Sequence, residues 1–137
     1  MMFKKRKLYY LASPYSHSNK FVEVLRYEAV VYAAKQLIEK GYTVLEPIAM
    51  CSEKSKRYDL SGGYSFWKKR DRWFISKCDG LIVLKLPGWD TSEGVTDEIQ
   101  YANKLGLDVH YLEPTEIFED EVFSVLSDKT VLTIMEK

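Results

Sequence analysis

The chain of 137 residues is 46% hydrophobic and 14% aromatic, the size and composition of one globular domain and not of a disordered segment. Its twenty Lys and Arg balance twenty Asp and Glu, which leaves no surplus charge to hold a phosphate backbone and argues against a nucleic-acid polymer as partner. No apolar run approaches the roughly 20 residues of a membrane span.

The short basic run Lys4-Lys5-Arg6-Lys7 reads as a solvated terminus with no signal-peptide core behind it, and the expectation is a cytoplasmic protein. Leu8 to Ala12 is a β-type run ended by Ser13-Pro14. Residues 20–40 have helical periodicity, with Leu25, Ala29, Ala33 and Leu37 on one face and Gly41 as the stop. Tyr42 to Leu45 is a second strand stopped at Pro47, and residues 48–63, ending in Ser61-Gly62-Gly63, read as a loop. Tyr64 to Lys77 is helical. Gly80 to Leu84 is almost wholly apolar, the pattern of a strand covered on both faces of a parallel sheet. A helix then starts near Ser92 and stops at Gly106, with Val95, Ile99, Ala102 and Leu105 as its apolar stripe. Val109 to Leu112 is a fourth strand, residues 116–126 a weaker helix, and residues 129–134 an edge strand. No linker or repeat interrupts residues 1–137, so a single domain is expected. Alternation of this kind predicts an α/β fold: one flavodoxin-like or Rossmann-like doubly wound parallel sheet of about four to five strands. Ligands of such sheets collect beyond the carboxyl ends of the strands.

Two carboxylates break the pattern. Glu98 falls inside the apolar stripe of its helix, three residues after Val95 and four before Ala102, whereas Asp97 points away from it. Asp71 lies amid Trp67, Phe74, Ile75 and Cys78, the apolar face of the preceding helix. A charge on a buried face needs a partner, a ligand or a shifted pKa. Each residue alone is either a functional acid or a salt-bridged or rim-exposed one; two beside one strand end point to an acid/base or nucleophile pair. Ser92 and Gly94 open the Glu98 helix, as an N-cap with a loop glycine or as an anion seat of exposed N–H groups. Tyr10 is either a core tyrosine or a hydroxyl brought to the site, and the loop-borne Tyr15 is placed to stack on a base. Cys51 and Cys78 have neither CxxC spacing nor a histidine cluster, so no metal is expected. His17 and His110 are solitary, and no GxGxxG or GxxxxGK[ST] is present.

Tyr9-Tyr10-Leu11-Ala12-Ser13-Pro14-Tyr15-Ser16, Asp71 eight residues before Asp79, and Ser92-x-Gly94-x-x-x-Glu98 heading a helix with Ala102 and Gly106 occur in an order and spacing that resembles the nucleoside 2-deoxyribosyltransferase superfamily. That group includes the 2′-deoxynucleoside 5′-monophosphate N-glycosidases, and the resemblance runs from residue 8 to about 113; the small phage and bacterial branch with a Ser-Pro-Tyr first loop is the most similar. It implies a flavodoxin-like fold, no metal or cofactor, and a homodimer or higher homo-oligomer whose neighbouring subunit completes the site. It also implies roles: Glu98 attacks C1′ of the sugar to form a glycosyl-enzyme, Asp71 handles the base and its proton, and Tyr10 orients Glu98. Substrate would be held by Ser13, Pro14, Tyr15, Ser92 and Gly94.

Transferases of free nucleosides in that superfamily carry an aspartate six residues before the glutamate; Ser92 stands there in this chain. A serine hydroxyl beside helix N–H groups suits a phosphate that a carboxylate would repel. The expected activity is therefore an N-glycosidase or deoxyribosyltransferase acting on a (deoxy)nucleoside 5′-monophosphate. The alternatives are a non-catalytic nucleotide-sensing module and an NAD-type glycohydrolase.

Overall fold

The first strand, β1 (Leu8–Ala12), pairs in parallel with two others, because its residues are apolar on both faces and both faces are covered. A computed structural model describes residues 6–51 and 63–118. After β1 the chain enters α1 (Lys20–Glu39), whose N-cap Asn19 accepts the Phe21 N–H at 2.9 Å. The helix ends at Gly41, whose φ of 97° is the left-handed conformation that closes a Schellman turn: the Tyr42 N–H reaches back to the Leu37 carbonyl at 3.0 Å. β2 (Thr43–Leu45) follows, then α2 (Gly63–Ser76), β3 (Gly80–Leu84), a 3₁₀ turn (Trp89–Thr91), α3 (Glu93–Lys104), β4 (Asp108–Leu112) and the short α4 (Pro114–Ile117).

The sheet order is β2-β1-β3-β4, all parallel. The chain moves outward from β1 to β2, then returns to the other side of β1 to form β3. Strand order thus reverses between β1 and β3, the switch point where doubly wound sheets open a crevice at their carboxyl ends. The expected fold class is the observed one.

Two apolar layers flank the sheet. One packs Val22, Ala29, Val30, Ala33 and Leu37 of α1 with Ile117 and Phe118 against Leu11, Ile82 and Leu84. The other packs Ile75 and Cys78 from the end of α2 and Val95 and Ala102 of α3 against Tyr10, Ala12, Leu81 and Val83. Residues alternate between the layers along each strand, so Tyr10 faces α2 and α3 while Leu11 faces α1. Burying each of Leu81 to Leu84 is worth about 2 kcal/mol, which makes β3 the central support. Its first residue has to be glycine: a Cβ on Gly80 would stand 2.9 Å from the Tyr9 ring and 3.2 Å from the Asp108 carbonyl.

Three expectations are corrected. Residues 47–51 are helical rather than loop. Pro47 occupies the first turn, and the Glu46 carboxylate caps it by accepting the Ile48 and Ala49 N–H groups at 2.7 and 2.9 Å, a glutamate in a role usually held by shorter side chains. Leu105 is 42% exposed and is not part of the α3 stripe. The helix ends at Lys104, and a Schellman turn through Gly106 (φ 75°) replaces Leu105 with Leu107, whose N–H bonds the Ala102 carbonyl at 3.0 Å and whose side chain packs on the core. The helix of residues 116–126 corresponds in its first residues to α4, which begins at Pro114 and ends at Ile117; its remainder, the 129–134 strand and the 52–62 part of the expected 48–63 loop lie outside the described residues. Among the described residues no helix is long and apolar enough to cross a membrane.

Candidate active site

Tyr10 is the centre of the site. Its register places it between Leu45 of β2 and Leu81 of β3, fully buried, with its hydroxyl in hydrogen-bonding reach of both Glu98 and Asp71. The two carboxylates that stood out on separate helices therefore meet at one phenol. Glu98 is 8% exposed on α3, and Asp71 is half-buried on α2.

Burial dominates the electrostatics. Desolvation first, and then the charge of Asp71, push the Glu98 carboxyl up to about 8, although the Tyr10 hydroxyl draws it back and Asp97 adds to the rise. Asp71 is raised to about 6, again chiefly by burial, with Arg70 and Tyr10 opposing and Asp97 reinforcing. Burial and the neighbouring carboxylates Glu98, Asp71 and Glu46 hold the Tyr10 phenol well above its ordinary value, so it stays protonated. A phenol has one hydrogen to donate. It can donate to one of the two carboxylates and accept from the other when that one is protonated. Between about pH 6 and 8 the pair holds one proton, since two like charges so near each other in a dry site cannot both ionise cheaply.

A bridge next to the pair fixes the spacing of the two helices. Arg72 donates to Asp97 through Nε at 3.1 Å and Nη2 at 2.5 Å, Lys68 reaches the same carboxylate at 3.4 Å, and the Arg72 guanidinium lies 5.1 Å from the Tyr101 ring centre. Asp97 thus points away from the α3 stripe as expected, but into α2 and not into water. Burial alone would raise its carboxyl; the bonds and charges of Arg72 and Lys68 outweigh that and hold it below its ordinary value. Arg72 follows Asp71 and Asp97 precedes Glu98, so the bridge joins the two helices one residue from each site acid. Arg72→Met is expected to lower stability by about 1 kcal/mol, a partly exposed bidentate pair being worth little more. Urea unfolding of the two proteins measures it, and an unchanged midpoint would show that the bridge carries no load.

Ser92 caps α3, its Oγ accepting the Val95 N–H at 3.2 Å. The cap leaves the hydroxyl hydrogen available to a ligand. Gly94, in the first turn, has open space where a Cβ would be, with only Ser92 Oγ near, at 3.9 Å. Ser13, Pro14 and Tyr15 leave β1 in a loop whose polar contacts run to Arg26 of α1: Nη1 donates to the Tyr15 and Ser16 carbonyls at 3.4 and 2.9 Å, and Nη2 to the Pro87 carbonyl at 3.2 Å. The structure thus brings Tyr10, Asp71 and Glu98 together, and puts Ser92 about one and a half turns and Gly94 about one turn ahead of Glu98. The Ser13-to-Tyr15 loop is at the same end of the sheet but is tied to α1. Ser13 is 6% exposed, and its Oγ has no hydrogen-bond partner among the described residues. His17 Nδ1 accepts the Asn19 N–H at 2.9 Å, and its buried Nε2 likewise has no hydrogen-bond partner among the described residues.

Two participants escaped the sequence reading. Arg26 is a buried cation on the apolar face of α1, four residues after Val22 and three before Ala29; the periodicity that singles out Glu98 singles out Arg26 equally. Glu46 brings a third carboxylate toward Tyr10, raised by burial against its bonds to Ala49 and Ile48, and nothing local in the sequence marks it. Asp79, a part of the family resemblance, lies at the other end of the sheet, where its Oδ2 accepts the Leu8 N–H at 2.7 Å.

Among the described residues no group of three or more His, Cys, Asp or Glu could hold a metal ion. No curated protein matches the chain. A family model described as a domain of unknown function, DUF1937, matches residues 6–113, which include β1 to β4 and every site residue named above. The chain belongs to that family of still unassigned function.

Proposed function

We propose that the protein cleaves the base–sugar bond of a (deoxy)nucleoside 5′-monophosphate through a covalent glycosyl-glutamate, as an N-glycosidase or a deoxyribosyltransferase. The observation that carries this reading is the meeting of Glu98 and Asp71 at the Tyr10 hydroxyl beside the β1–β3 switch point. Glycosyl cleavage passes through an oxocarbenium-like transition state, which needs an ionised carboxylate at C1′ and an acid for the leaving group.

A one-proton pair supplies both. In the empty site burial keeps that proton on Glu98 and leaves Asp71 ionised. As positive charge develops at C1′, the Glu98 proton passes to the Tyr10 oxygen while the Tyr10 hydrogen passes to Asp71. Glu98 becomes the carboxylate that bonds C1′, and Asp71 becomes the acid that gives its proton to the departing base. The net result is one proton carried from Glu98 to the departing base in three short transfers, and a C1′–N bond exchanged for a C1′–O bond. Water or a second base then resolves the ester.

The α3 N-terminus supports a 5′-phosphate in the substrate. Its dipole and first-turn N–H groups favour an anion, Gly94 leaves the approach open, and Ser92 adds a hydroxyl. Each helix start also carries an acid of its own, Glu93 in the first turn of α3 and, in that of α1, Glu23, which accepts the His17 N–H at 3.1 Å and pairs with Lys20 at 3.0 Å; Ser92 and Gly94 are what set the α3 end apart. The buried, unpartnered Ser13 hydroxyl costs about 1–3 kcal/mol unless a ligand or a water completes it, which fits a substrate lying across the end of β1.

Chromatography of released base over a panel of deoxynucleosides and their 5′-monophosphates tests the reading. The monophosphates are expected to react, and Ser92→Asp to lower kcat/KM for a monophosphate about tenfold or more through like-charge repulsion. Equal efficiency on nucleoside and monophosphate removes the phosphate assignment. Tight binding without base release would make the protein a nucleotide sensor.

A further inference from the structure

α1 is apolar on two opposite sides. Its inner side packs on the sheet through Val22, Ala29, Val30, Ala33 and Leu37. Its outer side carries Phe21, Val24, Val31 and Ile38, each between 37 and 59% exposed. At 3.6 residues per turn these four project directly away from the buried face. Single exposed apolar residues are ordinary on a protein surface, but these are ordered. With Glu28 and Lys35 they follow a 3-4-3-4-3 spacing, the a and d positions of successive heptads at 21 and 24, 28 and 31, and 35 and 38. A helix that keeps this repeat from Phe21 to Ile38, about 27 Å, presents a seam shaped for a second helix.

We infer that the outer face of α1 is the surface on which two copies of this chain pair, α1 against α1, antiparallel about a twofold axis. The two charged seam positions choose both the occupant and its direction. A parallel pair would set Glu28 against Glu28 and Lys35 against Lys35. An antiparallel pair centred between residues 29 and 30 sets Phe21 opposite Ile38 and lays the Lys35 stem on Val24. It brings Glu28 of each copy within about one helical turn of Lys35 of the other, twice by symmetry. Lys35 now pairs with Glu39 at 3.2 Å on the same exposed surface, and exchanging one wet ion pair for another costs little. A face whose charges complement its own twofold image is what a homodimer requires; a foreign helix would have no need of it. α1 covers the side of the sheet away from α2 and α3, so pairing leaves both carboxylate sites open and does not depend on the reaction proposed for them.

Sedimentation equilibrium of the full chain over a range of concentrations tests the inference, with circular dichroism confirming that each variant folds. The wild type is expected to dimerise. Glu28→Lys and Lys35→Glu each weaken the dimer about tenfold or more by placing like charges together, and the double exchange restores it to near the wild-type constant. Val31→Asp, which puts an acid in the seam without touching either charged position, also shifts the chain toward monomer. A wild type that stays monomeric at high concentration overturns the inference, as it would if residues 119–137 or any other occupant held that face. A dimer indifferent to all three single changes places the contact elsewhere, and single losses that the double exchange does not repair overturn the antiparallel pairing.

Discussion

Glu98→Gln is expected to lower base release from a reactive deoxynucleoside 5′-monophosphate by about 10³-fold or more while leaving the fold unchanged. The amide has the shape of the acid and can still accept the Tyr10 hydrogen bond, so the packing of α3 on the sheet is preserved. What it lacks is the electron pair that forms the bond to C1′ and the proton that is shared with Asp71. Because both functions are lost at once, Glu98→Gln should be about as inactive as a variant lacking both acids, which is how residues acting as a unit behave. Single-turnover assays with the substrate identified in the wild type give the answer. A Glu98→Gln protein working at the wild-type rate would move the nucleophile elsewhere.

The same substitution should stabilise the protein in alkaline solution. Burial raises the folded-state pKa of Glu98 from the ordinary 4.5 to about 8. The folded state therefore binds this proton more tightly than the unfolded chain, and the wild type loses stability as pH rises from about 4.5 to about 8. Below that window Glu98 is neutral in both states and resembles glutamine. Above it the wild type carries a buried charge beside ionised Asp71, and Glu98→Gln does not. The two proteins should unfold at similar urea concentrations near pH 4, and at pH 9 the variant should be more stable by on the order of 4 kcal/mol. Parallel stability curves from pH 4 to 9 would mean that Glu98 is not desolvated as the structure has it.

How legible the molecule is in its sequence depends on the range of the interaction. The apolar run of β3, the glycine stops at Gly41 and Gly106, and the misplaced acids Asp71 and Glu98 are all set by neighbours within a few residues, so periodicity exposes them. Leu105 misleads because periodicity continues on paper through a turn where the helix has already stopped. The role of Tyr10 requires knowing which face of β1 meets α2 and α3, which is a property of the sheet and not of the strand. The Arg72–Asp97 bridge joins residues 25 apart and is invisible until the helices are side by side. Glu46 is legible only as the cap of a helix that its own loop-like sequence conceals.

Arg26 gives the site its rigidity. One buried guanidinium holds carbonyls of the loop after β1 and of the loop after β3, the two segments that border the switch point. Neither loop can swing outward without breaking a charged hydrogen bond in a dry environment, so the two move as one lip. A ligand arriving there meets an edge whose ordering entropy was lost when the chain folded, and its binding energy remains for orienting the reacting atoms. Entry on that side is accordingly not governed by any swing of these two loops, whose shared edge is set before a ligand arrives.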